Sequence, residues 1–271
     1  MSPTATGESS LLLWVMAAVV AGLGAYLFVG WIRRAQGLEG WRNTLGPAAL
    51  AAGALGAGMT SAMVLAMSAE ALSFPLGYLW LALPALFLGP MVACLPAAWW
   101  LTRRHNWLAL LSCGLLLAAV AVAVQAGWIL AAGLRPGIRW RFELLGAAAA
   151  LASSGFIAAL WLAYSDASSE GARKSLWRMG AAALMGLTLI AGQEVVVSSV
   201  GLLSQVGSIY QRQAAATWLC LATGALVPTI LAMMALVLSL RNRAGRRRRR
   251  SGGVELNLPK RRKHRRKYRS L

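Results

Sequence analysis

The sequence predicts an all-α integral membrane protein, a bundle of seven transmembrane helices built as three two-helix repeats plus a final helix. Three observations lead there. Hydrophobic residues fill 58% of the 271 positions and the mean hydropathy is +0.60, which is too apolar for a soluble domain of this length. Stretches of about 20 apolar residues, enough to cross a roughly 30 Å hydrocarbon core, can be placed seven times. Basic residues also alternate between the two sets of connecting loops.

Taken in order, residues 1–10 carry Glu8 and no Lys or Arg. With no basic lead-in and no small-residue cleavage site after it, the first span at 11–31 is expected to stay as a helix rather than be removed as a signal peptide. Further spans follow at 45–69, 79–101, 108–132, 144–164, 179–203 and 214–240. Pro84, Pro90, Pro96 and Pro228 fall within spans and are suited to kinked or broken helices. The domain reading is thus a short outer N-terminus at 1–10, a membrane domain at 11–240 and a disordered polybasic tail at 241–271.

Orientation follows from short-loop arginines and lysines, which stay on the cytoplasmic side. Arg33, Arg34, Arg42, Arg103, Arg104, Arg173, Lys174 and Arg178 follow the odd-numbered spans. This places the N-terminus outside and the C-terminus in the cytoplasm. Arg135, Arg139, Arg141 and Arg212 lie in the opposite loops, and the first three form a local exception to the rule. The tail agrees with the majority, holding 15 Lys and Arg against Glu255 alone.

Catalysis has no visible machinery, and an enzyme is not expected. Cys94, Cys113 and Cys220 fall in spans without a Cys-x-x-Cys pairing, and they read as small buried hydrophobes. Neither His105 nor His264 lies in a span, so haem or zinc held by facing helices is unsupported. A retinal-type attachment fails for want of a lysine in a span.

What stands out instead is a set of unusual residues recurring toward the outer half of the even-numbered spans: Met63, Gln125, and the pair Gln193 and Glu194. An ionisable group in hydrocarbon costs about 2.5 to 3.5 kcal/mol even on lenient scales, so Glu194 is expected to face a cavity, a partner or a ligand. Pairing with Arg139 or Arg141 would give it a structural role. The candidate polar pocket therefore comprises Gln125, Gln193, Glu194, Arg139 and Arg141. Gln125 also suits an interhelical hydrogen bond. Met59, Met63 and Met67 share one face of the second span, as adaptable packing or as soft donors to Cu(I).

These segments resemble the bacterial MHYT membrane sensor domain. Gly58-Met59-Thr60-Ser61-Ala62-Met63-Val64-Leu65-Ala66-Met67-Ser68-Ala69 is similar to that family's first motif, Gly-x-x-Ser-Met-His-x-x-Gly-Met-Leu-Ala. Met185-Gly186-Leu187-Thr188-Leu189-Ile190-Ala191-Gly192-Gln193-Glu194 resembles its Met-Gly-Leu-Ala-Ile-x-Gly-Met-His-Tyr-Thr. The resemblance covers roughly 11–240 and implies a bacterial inner-membrane sensor in which histidines and methionines hold a metal, copper being the candidate. Position by position, the motif histidines correspond to Met63, Gln125 and either Gln193 or Glu194, and the following methionine to Met67. All three imidazoles are absent, so a metal here would have Met63, Met67, Gln125 and Glu194 as its donors. No enzymatic output domain is expected beyond the membrane domain.

Two clusters mark the tail: Arg246, Arg247, Arg248, Arg249 and Arg250, then Lys260, Arg261, Arg262, Lys263, Arg265, Arg266 and Lys267. Below a membrane helix such clusters suit anionic inner-leaflet lipid or a cytoplasmic protein partner. Nucleic acid is not expected, since Tyr268 alone gives no stacking platform. Two other readings stay open. One is a small transporter or channel-like protein using Glu194 and its polar neighbours, and the other is a scaffold acting through the tail.

Overall fold

The computed structural model describes residues 3–36, 38, 40–69, 77–104, 106–135, 138–165, 172–202, 207–210 and 214–252. Its helices are α1 (Pro3–Ala35), α2 (Trp41–Ala69), α3 (Leu83–Ala93), α4 (Leu95–Arg103), α5 (Trp107–Ala131), α6 (Phe142–Ser165), α7 (Ala172–Ser198) and α8 (Ala216–Gly252). Among the described residues, seven helical stretches are long and apolar enough to cross a membrane. The chain is an all-α, multi-pass membrane protein. Residues through Ala235 form one compact unit, and a second unit begins at Leu236.

The third span, read from the sequence as 79–101 with prolines suited to a kink or break, is a 3-10 turn (Trp80–Ala82) followed by α3 and α4, which meet at a turn on Cys94. Proline explains the break. Its ring blocks the carbonyl four residues back and it has no N–H to give, so Pro96 interrupts the ladder just after Cys94. Pro90 leaves the carbonyl of Leu86 without its usual donor, an expensive vacancy in hydrocarbon. The Thr60 hydroxyl lies 3.3 Å from that oxygen as well as 2.9 Å from its own Gly56 carbonyl, and so supplies the missing donor from α2.

Packing is closest where glycines let backbones touch. A Cβ on Gly58 would stand 3.2 Å from the Cα of Gly24, and one on Gly186 would stand 2.9 Å from the Gly22 nitrogen, so α1 lies between α2 and α7. On another face of α2, a Cβ on Gly56 would come within 2.6 Å of the Met91 nitrogen on α3. Small residues at such crossings are the usual means by which membrane helices gain van der Waals contact. The consequence is a central α2, with 83% of its apolar window buried against 22% for the last span.

Three short antiparallel ribbons, absent from the sequence reading, cap one end. β1 (Gly77–Tyr78) pairs with β6 (Ala214–Ala215), β2 (Leu134–Arg135) with β5 (Gly207–Ser208), and β3 (Ile138–Trp140) with β4 (Val200–Leu202). All three connections at that end are thereby stitched together. The sixth span was expected to run to 203 and the seventh to begin at 214, yet α7 stops at Ser198 and Ala214–Ala215 is strand, because these residues join the cap. At the far boundary, α8 runs to Gly252 rather than stopping at 240, and residues 253–271 lie outside those described.

Exchanging Gly53 and Gly56 for alanine separates helix propensity from close packing. A Cβ on Gly53 meets nothing within 4 Å, so Gly53→Ala should be neutral or stabilising by up to about 1 kcal/mol. Gly56→Ala drives a methyl into the α3 backbone and should cost about 1 to 3 kcal/mol. Thermal unfolding in detergent, monitored by circular dichroism, should show the two midpoints moving apart.

Candidate functional site

A set of contacts ties α2, α3, α5 and α7 together at one level of the bundle. Thr60 on α2 reaches the Leu86 carbonyl on α3, and the Leu86 side chain lies 3.1 Å from where a Cβ on Gly127 of α5 would stand. Gln125, half a turn away, donates from Nε2 to the Leu189 carbonyl of α7 at 3.1 Å. A Cβ on Gly192 would sit 3.8 Å from that same amide. The Gln125 side chain thus lies against α7 at ordinary contact distance from position 192.

Helices α2, α5 and α7 all run toward the cap, so the odd side chains predicted at common depth can be placed on this level. Met63 lies three residues beyond Thr60, about 4.5 Å along the axis at 1.5 Å per residue, and it is 1% exposed. Ser61, which bonds the Thr223 carbonyl of α8 at 3.2 Å, is on the other side of α2. Met59 and Met67 continue the buried stripe one turn below and above. Gln193 is 2% exposed and falls between the face of α7 that meets α5 and the face that carries Gly186 to α1. Gln125 is buried as well.

Glu194 is not part of this layer. It lies on an exposed face of α7, one position and about 100° around the helix from Gln193, and so the third repeat contributes its amide instead of its carboxylate. Arg139 and Arg141 are exposed on the cap and do not line the interior. Arg139 pairs with Gly201 across the β3–β4 ribbon, and the Arg141 N–H donates to the Ser199 carbonyl at 2.9 Å. The five-residue polar pocket read from the sequence thus reduces to Gln125 and Gln193. Side chains of Arg246 to Arg250, and all of Lys260 to Lys267, lie outside the described residues.

The donors do not fit copper. A soft ion needs sulfur or imidazole donors on one centre, while here a single thioether, Met63, shares the level with two amides and the carboxylate is turned away. Among the described residues there is no group of three or more His, Cys, Asp or Glu able to hold a metal. Cys94 and Cys113 are buried free thiols, and the Cys113 S–H donates to the Ala97 carbonyl at 3.7 Å.

Among the described residues, four polar atoms near this level are buried without a hydrogen-bond partner: Gln125 Oε1, Gln193 Nε2, Trp128 Nε1 and the Tyr78 hydroxyl. Trp128 stands three residues after Gln125 on α5. Its ring meets Tyr78 edge-on at 5.0 Å and Phe87 at 5.6 Å. Sequence reading passed over Tyr78 and Trp128 because aromatic residues at a membrane boundary are common. The sequence signal was the spacing Gln125-Ala126-Gly127-Trp128, which sets an amide and an indole on neighbouring positions of one helix face.

Over this layer, one hydroxyl holds the cap shut. Ser208 Oγ lies 3.0 Å from the Gly77 carbonyl and 2.7 Å from the Ala132 carbonyl, and it accepts from the N–H groups of Gly77 and Tyr210 at 3.3 Å each. Its neighbour Ile209 donates its N–H to the Gly133 carbonyl at 3.2 Å, and Gly133 adopts φ of +57°, which a side chain would disfavour. The opposite end is basic and aromatic. Arg103 stacks on Trp99 at 4.2 Å, Arg178 on Tyr26 at 5.1 Å, and Arg33 donates to the Ala163 carbonyl.

Comparison with known proteins returns no matching family model, no matching curated protein and no matching solved structure. What the layer can do is read from its chemistry. It offers an acceptor, several donors and a thioether, with no formal charge.

Two substitutions check this geometry. Ser208→Ala removes the one O–H donor and the accepting oxygen that link three loops and should cost about 1 to 3 kcal/mol. Tyr78→Phe deletes a buried hydroxyl without a partner and should be neutral or stabilising. Burial pushes the Tyr78 phenol upward, with Cys220 acting in the same direction. A raised folded pKa favours the protonated form, so its contribution is intact below the free value of about 10 and is lost as the pH climbs above it. Wild-type stability should consequently fall faster than that of Tyr78→Phe between about pH 9.5 and 11.5, measured by thermal unfolding.

Proposed function

We propose that this protein is a membrane sensor module, a degenerate relative of the MHYT domain that uses a neutral amide layer where that family uses imidazoles. The observation that carries the reading is the pair of unpartnered amide atoms, Gln125 Oε1 and Gln193 Nε2, buried beneath the strand cap. A native bundle leaves few such atoms, and each marks a place where a water or ligand is accommodated or strain is stored. Occupancy of the layer would alter packing between α5 and α7, since Gln125 already bonds the α7 backbone. Helix displacement is then the output, passed to the basic segment beyond Arg241 and from there to anionic inner-leaflet lipid or a protein partner in a bacterial inner membrane. No catalytic step is assigned to it.

A transporter would need a charged or titratable path through the bundle. Glu194, the residue chosen for that role, is exposed, and this disfavours the transport reading.

The two readings part in proteoliposomes containing the full chain. Gln125→Leu and Gln193→Leu should change the rate of tryptic cleavage at Arg246 to Arg250 severalfold. Glu194→Gln should leave it unchanged, and no pH-driven solute uptake should occur. Uptake abolished by Glu194→Gln, with cleavage insensitive to either glutamine, would establish transport and remove the sensor reading.

A further inference from the structure

At the end of the bundle away from the cap, α1, α6 and α7 meet in a second polar junction, and three contacts hold it together. Arg33 on α1 donates to the Ala163 carbonyl of α6. Arg178 on α7 stacks on Tyr26 of α1, which lies seven residues before Arg33 and so on nearly the same face. A Cβ on Gly180 would stand 3.6 Å from the Leu162 side chain, which sets α7 against α6 at this level. The Tyr164 phenol has both Arg33 and Gln36 beside it. Two guanidinium groups, an amide and a phenol thus converge from three helices.

Two donors of this junction, Arg178 Nε and Gln36 Nε2, are buried without an acceptor. Among residues whose side chains are described, the acids are Glu143 and Glu194, both toward the cap; Glu39, Asp166 and Glu170, in the adjoining connections, lie outside them. Depth adds a second indication. Arg33 and Arg178 each lie two residues inside the end of a span, at Ala35 and Leu176, and Tyr164 ends a third. Lipid phosphates lie at that level, just beyond the hydrocarbon core. Trp161, Leu176 and Met179, close in sequence to these residues, are 53%, 67% and 57% exposed and offer acyl chains an apolar rim.

We infer that this junction is an oxyanion site for a phosphate group, and its place at the span ends favours the phosphate of an anionic phospholipid over one free in solution. The chemistry is set by the unmade bonds. Both are donors, so the ligand presents acceptors, and the planar guanidinium fork of Arg178 matches a phosphate. Two cations at one level call for a net negative head, which a zwitterionic lipid does not supply. Basic pockets between membrane helices take phosphate head groups for this reason. The site belongs to the folded bundle, separate from the tail clusters, and does not depend on the amide layer.

The test uses the purified, delipidated full chain in detergent with three probes: phosphatidylglycerol, phosphatidylcholine and inorganic phosphate. Native mass spectrometry should show phosphatidylglycerol retained ahead of phosphatidylcholine at equal concentration, and it should raise the melting midpoint. Arg178→Gln should weaken its binding about tenfold or more, the loss expected for a hydrogen bond to a charged group. Gln36→Met, which leaves every charge in place, should weaken it severalfold. The tail is the same in all these proteins, so lipid held there does not distinguish them. Arg178→Lys keeps a cation over Tyr26 and guards against misfolding: it should melt like wild type without lipid yet bind more weakly, because an ammonium lacks the fork. A purely structural Arg178 would shift the lipid-free midpoint and leave the phosphatidylglycerol increment intact, and that result overturns the inference. Equal retention of the two lipids, or equal binding by wild type and variants, also overturns it and means that the junction is satisfied from within the chain. Stabilisation by inorganic phosphate, lost in Arg178→Gln, with phosphatidylglycerol silent, would keep the oxyanion site and assign it to phosphate in solution.

Discussion

Inside hydrocarbon no polar group can pass its hydrogen bond to water, and this constraint organises the molecule. The break in the third span and the strand cap show how such groups are met by specific donors and acceptors. Pro90 frees the Leu86 carbonyl and Thr60 answers it from α2. Three inter-helix connections at one end would expose backbone N–H and C=O groups at the membrane surface, and they pair with one another as ribbons, with the Ser208 hydroxyl bridging two connections from the third. The ribbons are too short to stand as sheets. Helices deliver their ends to the right places, and the strands satisfy what those ends leave open.

The same constraint explains why the class was legible in the sequence and several details were not. Seven spans follow from length and hydropathy, since nothing else hides that much apolar surface. The ribbons leave no such mark, because two or three residues such as Gly77–Tyr78 or Val200–Leu202 are too few for an alternating pattern. The run Arg135, Arg139, Arg141 broke the charge rule for a related reason: Arg135, Arg139 and Arg141 belong to or adjoin paired strands, so their placement serves the cap as well as the topology.

Gln193 and Glu194 differ by a single residue of register. Both Gln193 and Glu194 lie in an apolar run, and hydropathy alone does not say which of two neighbours, about 100° apart, faces inward. The packing of α7 decides it. Gly186 must meet α1, and a residue seven positions later returns to nearly the same face, which is Gln193. Gly56 and Met63 on α2 have the same seven-residue offset, as do Ala118 and Gln125 on α5. A small residue followed seven later by the odd side chain thus recurs on all three helices, and on α7 that offset points to Gln193.

An amide layer and a carboxylate layer would place different demands on function. A buried carboxylate titrates, binds cations and can move a proton, and these properties make intramembrane acids the usual mark of transport. Gln125 and Gln193 do none of this; a neutral amide would distinguish ligands by hydrogen-bond pattern and shape. Because Gln125 is anchored through Nε2 to the α7 backbone, any group accepted at its free oxygen bears on the α5–α7 contact. The amide lies directly on the α7 backbone, with its hydrogen bond to the Leu189 carbonyl at 3.1 Å, so this coupling needs no intermediary. Mechanical linkage between a bound neutral group and a helix backbone is what the proposed sensor would require, and it would need neither metal nor charge.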